Sequence, residues 1–227
     1  MAAMQSPMLT TLQSAFDADS PERISEAMSI ILRDGDIVGP DLDTYWHPLG
    51  FFRIELGRHE DSEQGRFALH FWPDGRRSTQ QPEFRVHRHV HHITSCVLHG
   101  RLFDTNYRVI PTGDPDVFGP LYKIETGPGF STMTRLPETI GLEHSATEAQ
   151  VPGSLYVPAP GESFHSTDVG IGTAAITAVH IGHRTRPFPD VVGEFGCDAD
   201  YYYNRVRVPA AVIGACVDLL FDVITSS

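Results

Sequence analysis

Histidines are concentrated in one short stretch of the sequence. Of the twelve histidines in the 227-residue chain, four lie between positions 87 and 92. Alternate side chains of a strand point to the same side, so His87 and His89 can reach one ion together. Neutral imidazole is a good ligand for iron, zinc, nickel and copper. The spacing of the histidines in residues 86–100 therefore predicts a metal-binding strand and turn. The alternative is that these histidines lie on a solvated strand face.

The other two histidines of this stretch, His91 and His92, allow different interpretations. Parity places His91 on the side of the preceding His-x-His pair. A bend in the strand would instead turn Thr94, Cys96 and Leu98 inward. For both histidines, a position in solvent or a supporting position behind the metal ligands is favoured over direct binding of the metal.

Helices are expected at the two ends of the chain. Apolar residues recur at helical spacing over residues 9–18 and 20–33, and Ser20-Pro21-Glu22 combines an N-cap, a first-turn proline and a favourable acid. A last helix is predicted over residues 209–224. Its apolar face must be covered, and the barrel is favoured over a second subunit.

Many short strands bounded by Gly and Pro are predicted between the helices. Strands are expected at residues 51–56, 67–72, 101–110, 154–157 and 174–181, with a hairpin of 121–126 and 131–136. Residues 140–151 alternate only weakly. The pattern predicts a mainly β fold, an antiparallel double-sheet jelly-roll barrel with N-terminal helices and a C-terminal helix. Three segments are expected: a helical extension (1–46), the barrel (47–190) and a C-terminal segment (191–227).

The histidine stretch resembles the first motif of the cupin superfamily. The resemblance is carried by His87, His89 and Gly100, with Thr94 at the position where many cupins hold a glutamate ligand. A second cupin-like motif runs from Gly153 through Pro158 and Gly161 to His165, with one extra residue before the histidine. The resemblance implies a cupin barrel in which His165 joins His87 and His89 as the third metal ligand. A buried, hydrogen-bonded His165 is the alternative.

Within the cupins, the layout is most similar to thiol dioxygenases of the cysteine dioxygenase type. These chains have N-terminal helices, a hydrophobic strand ending in tryptophan, here Trp72, and a His-x-His pair without the glutamate. The resemblance implies an Fe(II) enzyme that uses O2 on a small thiol- or amino-acid-like substrate. Three neutral ligands leave a more positive metal, which attracts an anionic substrate. The same ligands bind other metals, so Zn, Ni and Mn stay open.

The resemblance also implies roles for residues beyond the ligands. Arg53 stands near the place of a carboxylate-binding arginine, and an arginine suits that role, although solvated arginines are common. Tyr107 is a second candidate for substrate binding. His180 matches a histidine that the family holds between a serine and a tyrosine, and it is a candidate catalytic residue or a core histidine.

Two departures from the family pattern bear on the substrate. The positions that flank His180 are Ala178 and Gly182, so the family's relay is not intact. Thr94 stands where some thiol dioxygenases have a cysteine that is crosslinked to a tyrosine. That crosslink cannot form from a threonine, which argues against cysteine itself as the substrate.

Two other classes of function remain as hypotheses. In a metal-dependent isomerase, lyase or hydrolase, the ion would act as a Lewis acid while a histidine moves a proton. A non-enzymatic cupin would only bind a metal or a small ligand.

Composition bears on partners and location. The formal net charge of −12 argues against a nucleic-acid partner, because phosphate binding needs clustered Lys and Arg. Three widely spaced cysteines imply no disulfide framework, which fits a cytoplasmic setting. Neither a signal segment nor an apolar run long enough for a membrane is expected. The expected partners are a small-molecule substrate and O2, with a homodimer possible.

Overall fold

Two antiparallel sheets account for most of the molecule. The computed structural model describes residues 7–33, 44–58, 65–75, 77–111, 115–127, 129–159, 163–170, 172–197 and 199–225. The helices are α1 (Pro7–Asp17), α2 (Pro21–Arg33) and α3 (Ala210–Thr225). The strands are β1 (Phe52–Arg58), β2 (Arg66–Trp72), β3 (His87–Arg88), β4 (His91–His99), β5 (Leu102–Ile110), β6 (Val117–Gly127), β7 (Phe130–Gln150), β8 (Leu155–Tyr156), β9 (Phe164–Asp168), β10 (Ala175–Arg184), β11 (Asp190–Val192) and β12 (Tyr201–Asn204).

The strands are ordered so that the sheets form a near-ring. The five-stranded sheet has the order β1-β2-β10-β4-β8, and the seven-stranded sheet has the order β12-β7-β5-β9-β3-β11-β6. An additional pairing of β7 with β6 curls the larger sheet round on itself. The predicted fold class, mainly β with two antiparallel sheets and helices at both ends, is confirmed.

The helices cover the outer face of the five-stranded sheet. Side chains alternate along β2, and its outward residues Phe67, Leu69 and Phe71 are fully buried in one cluster with Leu12 of α1 and Ile24 of α2. The inward residues of the same sheet line an interior cavity. Burial of this apolar face is what holds the helices in place, because each contributes one apolar stripe.

The ends of two helices match the sequence signals closely. The backbone N–H of Arg23 donates to Ser20 Oγ at 3.4 Å, so Ser20 caps α2 as predicted. Helix α3 packs on α2 and β4 and buries Cys216, Leu220 and Ile224. The expected packing of this helix on the barrel is seen, with α2 as its second neighbour.

Several strands differ from those predicted. The sequence patterns did not predict β9, β11 and β12 as strands, and they divided β7 into a hairpin strand and a weakly alternating segment. Strand β7 runs for 21 residues because it exchanges partners: it pairs with β6 up to Leu142 and with β5 from Gly141 onward. The two halves therefore meet different neighbours, which weakens the alternation. The boundaries of the three predicted segments stay predictions.

None of the three described helices has both the length and the apolar character needed to cross a membrane.

Candidate metal centre

Three histidines converge where the chain passes from one sheet to the other. His87 on β3 lies directly opposite His165 on β9 in an antiparallel pair. Directly opposed residues of such a pair project their side chains to the same face. Strand β3 ends at Arg88, so His89 stands on the short crossover that leads to β4 in the five-stranded sheet. The fold thus brings together two segments that are 76 residues apart.

The three rings meet through their Nε2 atoms. His165 Nε2 lies 3.1 Å from His87 Nε2 and 2.8 Å from His89 Nε2. One ligand atom from each of the three side chains lies within 4.8 Å of the others, and no other such group occurs among the described residues. With metal–nitrogen bonds of about 2.0–2.1 Å, neighbouring nitrogens around one ion lie roughly 3 Å apart. The spacing of the three nitrogens therefore fits one ion.

The remaining ring nitrogens indicate which kind of ion the cluster could hold. His87 Nδ1 lies 2.9 Å from the carbonyl oxygen of Arg85, and His165 Nδ1 lies 2.7 Å from Asp104 Oδ1. Both partners are acceptors, so each Nδ1 carries the proton and each Nε2 keeps its lone pair. Two lone pairs at 3.1 Å repel each other unless a positive charge lies between them. The donor set therefore fits a transition-metal ion.

Asp104 anchors the most buried of the three rings. Its Oδ1 also accepts a hydrogen bond from Thr167 Oγ1 at 3.3 Å, and its Oδ2 accepts one from Asn106 Nδ2 at 3.1 Å. Burial raises the pKa of Asp104 to about 6, although the hydrogen bonds from Asn106 and Thr167 act in the opposite direction. A carboxylate behind a ligating histidine fixes its tautomer and increases its basicity. His165, at 2 % exposure, is thus held in place for ligation.

Burial keeps the cluster neutral. It lowers the pKa of all three imidazoles, and neighbouring histidines lower it further for His89 and His165. A protonated imidazole has no lone pair to offer a metal. Neutral rings are therefore the state that metal binding requires.

The cluster borders an interior cavity of about 750 Å³. Its wall includes the inward residues of the five-stranded sheet, among them Arg53, Glu55 and Arg66, and also Arg205 from the segment before α3. Burial lowers the pKa of both Arg53 and Arg205, and the charge of Arg53 lowers that of Arg205 further. Three guanidinium groups, of Arg53, Arg66 and Arg205, face the single carboxylate of Glu55 in this wall, so the wall carries net positive charge and suits an anion.

The structure brings one of the other three predicted site residues to this cavity. Arg53 lines it, and its Nη2 lies 2.8 Å from Glu55 Oε1. Its predicted role in binding a carboxylate stays a prediction.

His180 and Tyr107 are not brought to the cluster. On β10 the cavity is lined by Thr177, Val179 and Ile181, so the alternation directs His180 to the outer face. There its ring packs 5.0 Å from that of Phe67 and 5.7 Å from that of Phe16. Tyr107 pairs with Phe164 and packs with it in a separate apolar cluster. The fold therefore gives neither side chain direct access to the three histidines.

Strand β4, which follows the crossover, does not face the cavity with the residues that a bend in the strand would have turned inward. Ile93 and Ser95 line the cavity, whereas Cys96 and Leu98 are buried beneath the helices. The hypothesis that Thr94, Cys96 and Leu98 face inward is wrong, because β4 pairs in register with β10 through His180 opposite Thr94. The glutamate position of the resemblance, Thr94, thus points away from the cluster.

The two ambiguous histidines lie outside the group of three. His91 borders the cavity, and its Nδ1 lies 3.0 Å from the carbonyl oxygen of Gly182. His92 is exposed and stacks on His183 with ring centroids 5.8 Å apart. Gly161 of the second motif lies outside the described residues.

Three polar side chains near the cluster were not predicted from the sequence. These are Asp104, His47 and His70, of which the two histidines line the cavity. His70 could have been predicted from the sequence, because it is a polar residue at an inward-facing position of the otherwise apolar strand β2. Asp104 and His47 carry no local signal, since their positions depend on pairing and on a turn.

Comparison with known proteins adds no family assignment. The chain matches no protein-family model, and no curated protein matches it.

Proposed function

We propose that the protein is a mononuclear non-haem Fe(II) oxygenase that acts with O2 on a small, metal-chelating, thiol- or amino-acid-like substrate. The observation that carries the proposal is the meeting of three Nε2 atoms, two of which have their lone pairs directed by acceptors behind the ring. Fe(II) held by His87, His89 and His165 would supply the redox chemistry that activates dioxygen.

The residues around the cluster support an anionic substrate. Three imidazoles contribute no negative charge, so a divalent ion bound by them keeps its full charge. Arg53 and Arg205 add positive charge at the cavity wall. The resemblance to thiol dioxygenases of the cysteine dioxygenase type supports the same class. Because Thr94 replaces the cysteine of that family's crosslink, the proposal includes thiols other than cysteine.

The test begins with metal content. Untagged protein is reconstituted anaerobically with Fe(II), and bound metal is measured beside oxygen consumption with a panel of small thiols and amino acids. We expect about one iron per chain, and oxygen uptake that depends on both iron and substrate. His87→Ala and His165→Ala should lose the metal and the uptake, whereas His183→Ala, at an exposed position, should keep both. A protein that turns over without metal would refute the proposal.

A metal-dependent isomerase, lyase or hydrolase is the second candidate, favoured by the same donor set. Three histidines with open positions also bind zinc in enzymes that use it as a Lewis acid. Turnover with Zn(II) in the absence of oxygen would select this candidate. Retained ligand binding without any turnover would indicate a non-enzymatic binding protein instead.

We further propose a cytoplasmic setting, with no nucleic-acid or membrane partner and with a possible homodimer.

A further inference from the structure

A second pair of imidazoles, His47 and His70, lies beside the three proposed ligands. Both border the cavity, and no metal site among the described residues includes them. The charge of His87 lowers the pKa of His47, and that of His70 lowers the pKa of His89, so each lies near a ligand. Both rings pack on Phe51, with centroids 4.1 Å (His47) and 4.7 Å (His70) from that of its ring.

His47 is held by a tight turn. The N–H of Gly50 donates to the carbonyl of His47 at 2.8 Å, which closes the turn, and Pro48 occupies its second position. Gly50 has φ +82°, a conformation that suits glycine. The ring stacks on Phe51 with an interplanar angle of 20°. The backbone and this stacking together restrict the orientation of the imidazole before any ligand arrives.

The turn also determines which nitrogen of His47 carries the proton. The backbone N–H of Leu49 donates to Nδ1 at 3.3 Å, so Nδ1 uses its lone pair and the neutral ring bears its hydrogen on Nε2. No described residue accepts a hydrogen bond from that Nε2–H. The half-buried ring therefore presents an oriented and unused donor at the cavity wall.

The surroundings of this donor select the kind of acceptor. Arg205 lies next to His47, because its Nε and Nη2 atoms donate to the carbonyl oxygen of Trp46 at 3.2 Å, and Arg53 lines the same cavity. A neutral N–H beside two guanidinium groups is suited to an anionic oxygen.

We propose that His47 is a specificity-determining residue that donates a hydrogen bond from Nε2 to an anionic oxygen of the substrate, at the end away from the metal. The inference rests on the proposed metal site and deepens the proposed function. His47, in the segment before β1, would thus bind the substrate together with the arginines at the cavity wall.

The test compares two thiols in protein loaded with Co(II), whose visible spectrum reports thiolate binding without turnover. The probes are 3-mercaptopropionate and 1-propanethiol, which share a three-carbon chain and differ in the carboxylate. His47→Phe keeps a ring against Phe51 but has no donor, and His47→Gln retains an N–H near the place of Nε2. His183→Gln is the control at an exposed position.

We expect His47→Phe to lower the affinity for 3-mercaptopropionate about tenfold while that for 1-propanethiol stays within about twofold. His47→Gln should retain the affinity for 3-mercaptopropionate to within about threefold. The control should match the wild-type protein with both probes. Loss of Co(II) binding in His47→Phe would also count against the inference.

An unchanged preference for the carboxylate in His47→Phe, or an equal loss of both thiols, would overturn the inference. The proposed function is judged separately, by oxygen consumption of the Fe(II) protein. A protein that consumes no oxygen but shows the tenfold change has the subsite without the activity. A protein that consumes oxygen with an unaltered preference has the activity without the subsite.

Discussion

The tautomer of each histidine is the feature of this site that depends most on single atoms. The Arg85 carbonyl behind His87 and the Asp104 carboxylate behind His165 place protons on Nδ1 and leave Nε2 available. His47 is arranged in the opposite way, because a backbone N–H occupies its Nδ1. The same side chain is thus suited to be a ligand in one case and a donor in the other, according to what lies behind the ring.

Replacement of the carboxylate behind His165 tests this arrangement. Asp104→Asn offers Nδ1 either a neutral oxygen or an N–H that cannot accept, so the ring is less basic and less firmly oriented. We expect the affinity for Fe(II) or Co(II) to fall by about 10–100-fold, as measured by competition with a chelator. Asp168→Asn is the control, because that carboxylate is 61 % exposed on the same strand as His165. Equal affinity in Asp104→Asn and the wild-type protein would contradict the role of Asp104.

At the scale of elements, the site depends on a crossover. Strand β3 belongs to the seven-stranded sheet and β4 to the five-stranded sheet, so the His-x-His pair spans the place where the chain changes sheets. The larger sheet supplies His87 and His165 in register, and the crossover adds His89. The outer face of the smaller sheet is occupied by helices, which leaves its inner face for the cavity.

The helical cover can be tested with two adjacent residues of α3. Leu220 is fully buried against the rest of the fold, whereas Phe221 is 44 % exposed. Leu220→Ala should lower the free energy of unfolding by about 2–5 kcal/mol, because it removes methyl groups and leaves a cavity. Phe221→Ala should cost under about 1 kcal/mol. Urea denaturation measures both, and similar costs for the two variants would mean that α3 is not packed as described.

For the whole molecule, the histidines that line the cavity dominate the expected pH dependence. Burial, and then the charge of Arg53, lower the pKa of His70 from 6.5 to about 3. Below pH 6.5 the unfolded chain binds a proton at His70 that the folded chain does not, so stability is lost as the pH falls from 6.5 towards 3. His47, His87, His89 and His165 act in the same direction. Asp104, with a raised pKa, acts in the opposite direction between about pH 6 and 4.

The metal-free protein should therefore become less stable when acidified from pH 7.5 to 5.5. Between pH 6.5 and 5.5, each of these imidazoles lowers the free energy of unfolding by about 1 kcal/mol. His70→Leu should show a shallower slope of unfolding free energy against pH than the wild-type protein. Urea denaturation at four pH values gives these slopes. A slope that is unaffected by His70→Leu would contradict the assignment of a neutral His70.

Much of this architecture was readable from local pattern. Helical spacing and the Ser20 cap predicted α1 and α2, and alternation bounded by Gly and Pro predicted β1, β2 and β10 closely. These signals are local, because propensity and alternation depend on near neighbours along the chain. The spacing of His87 and His89, with the resemblance that added His165, likewise predicted the three residues that converge.

What local pattern could not supply was the pairing across long separations. Whether His180 or Thr177 faces the cavity depends on the register of β10 against β2 and β4, and a shift of one residue exchanges the two faces. The positions of Asp104 behind His165 and of His47 beside His87 likewise arise from contacts between distant segments. Composition and spacing therefore predicted the kind of centre, while long-range register selected the side chains that surround the three histidines.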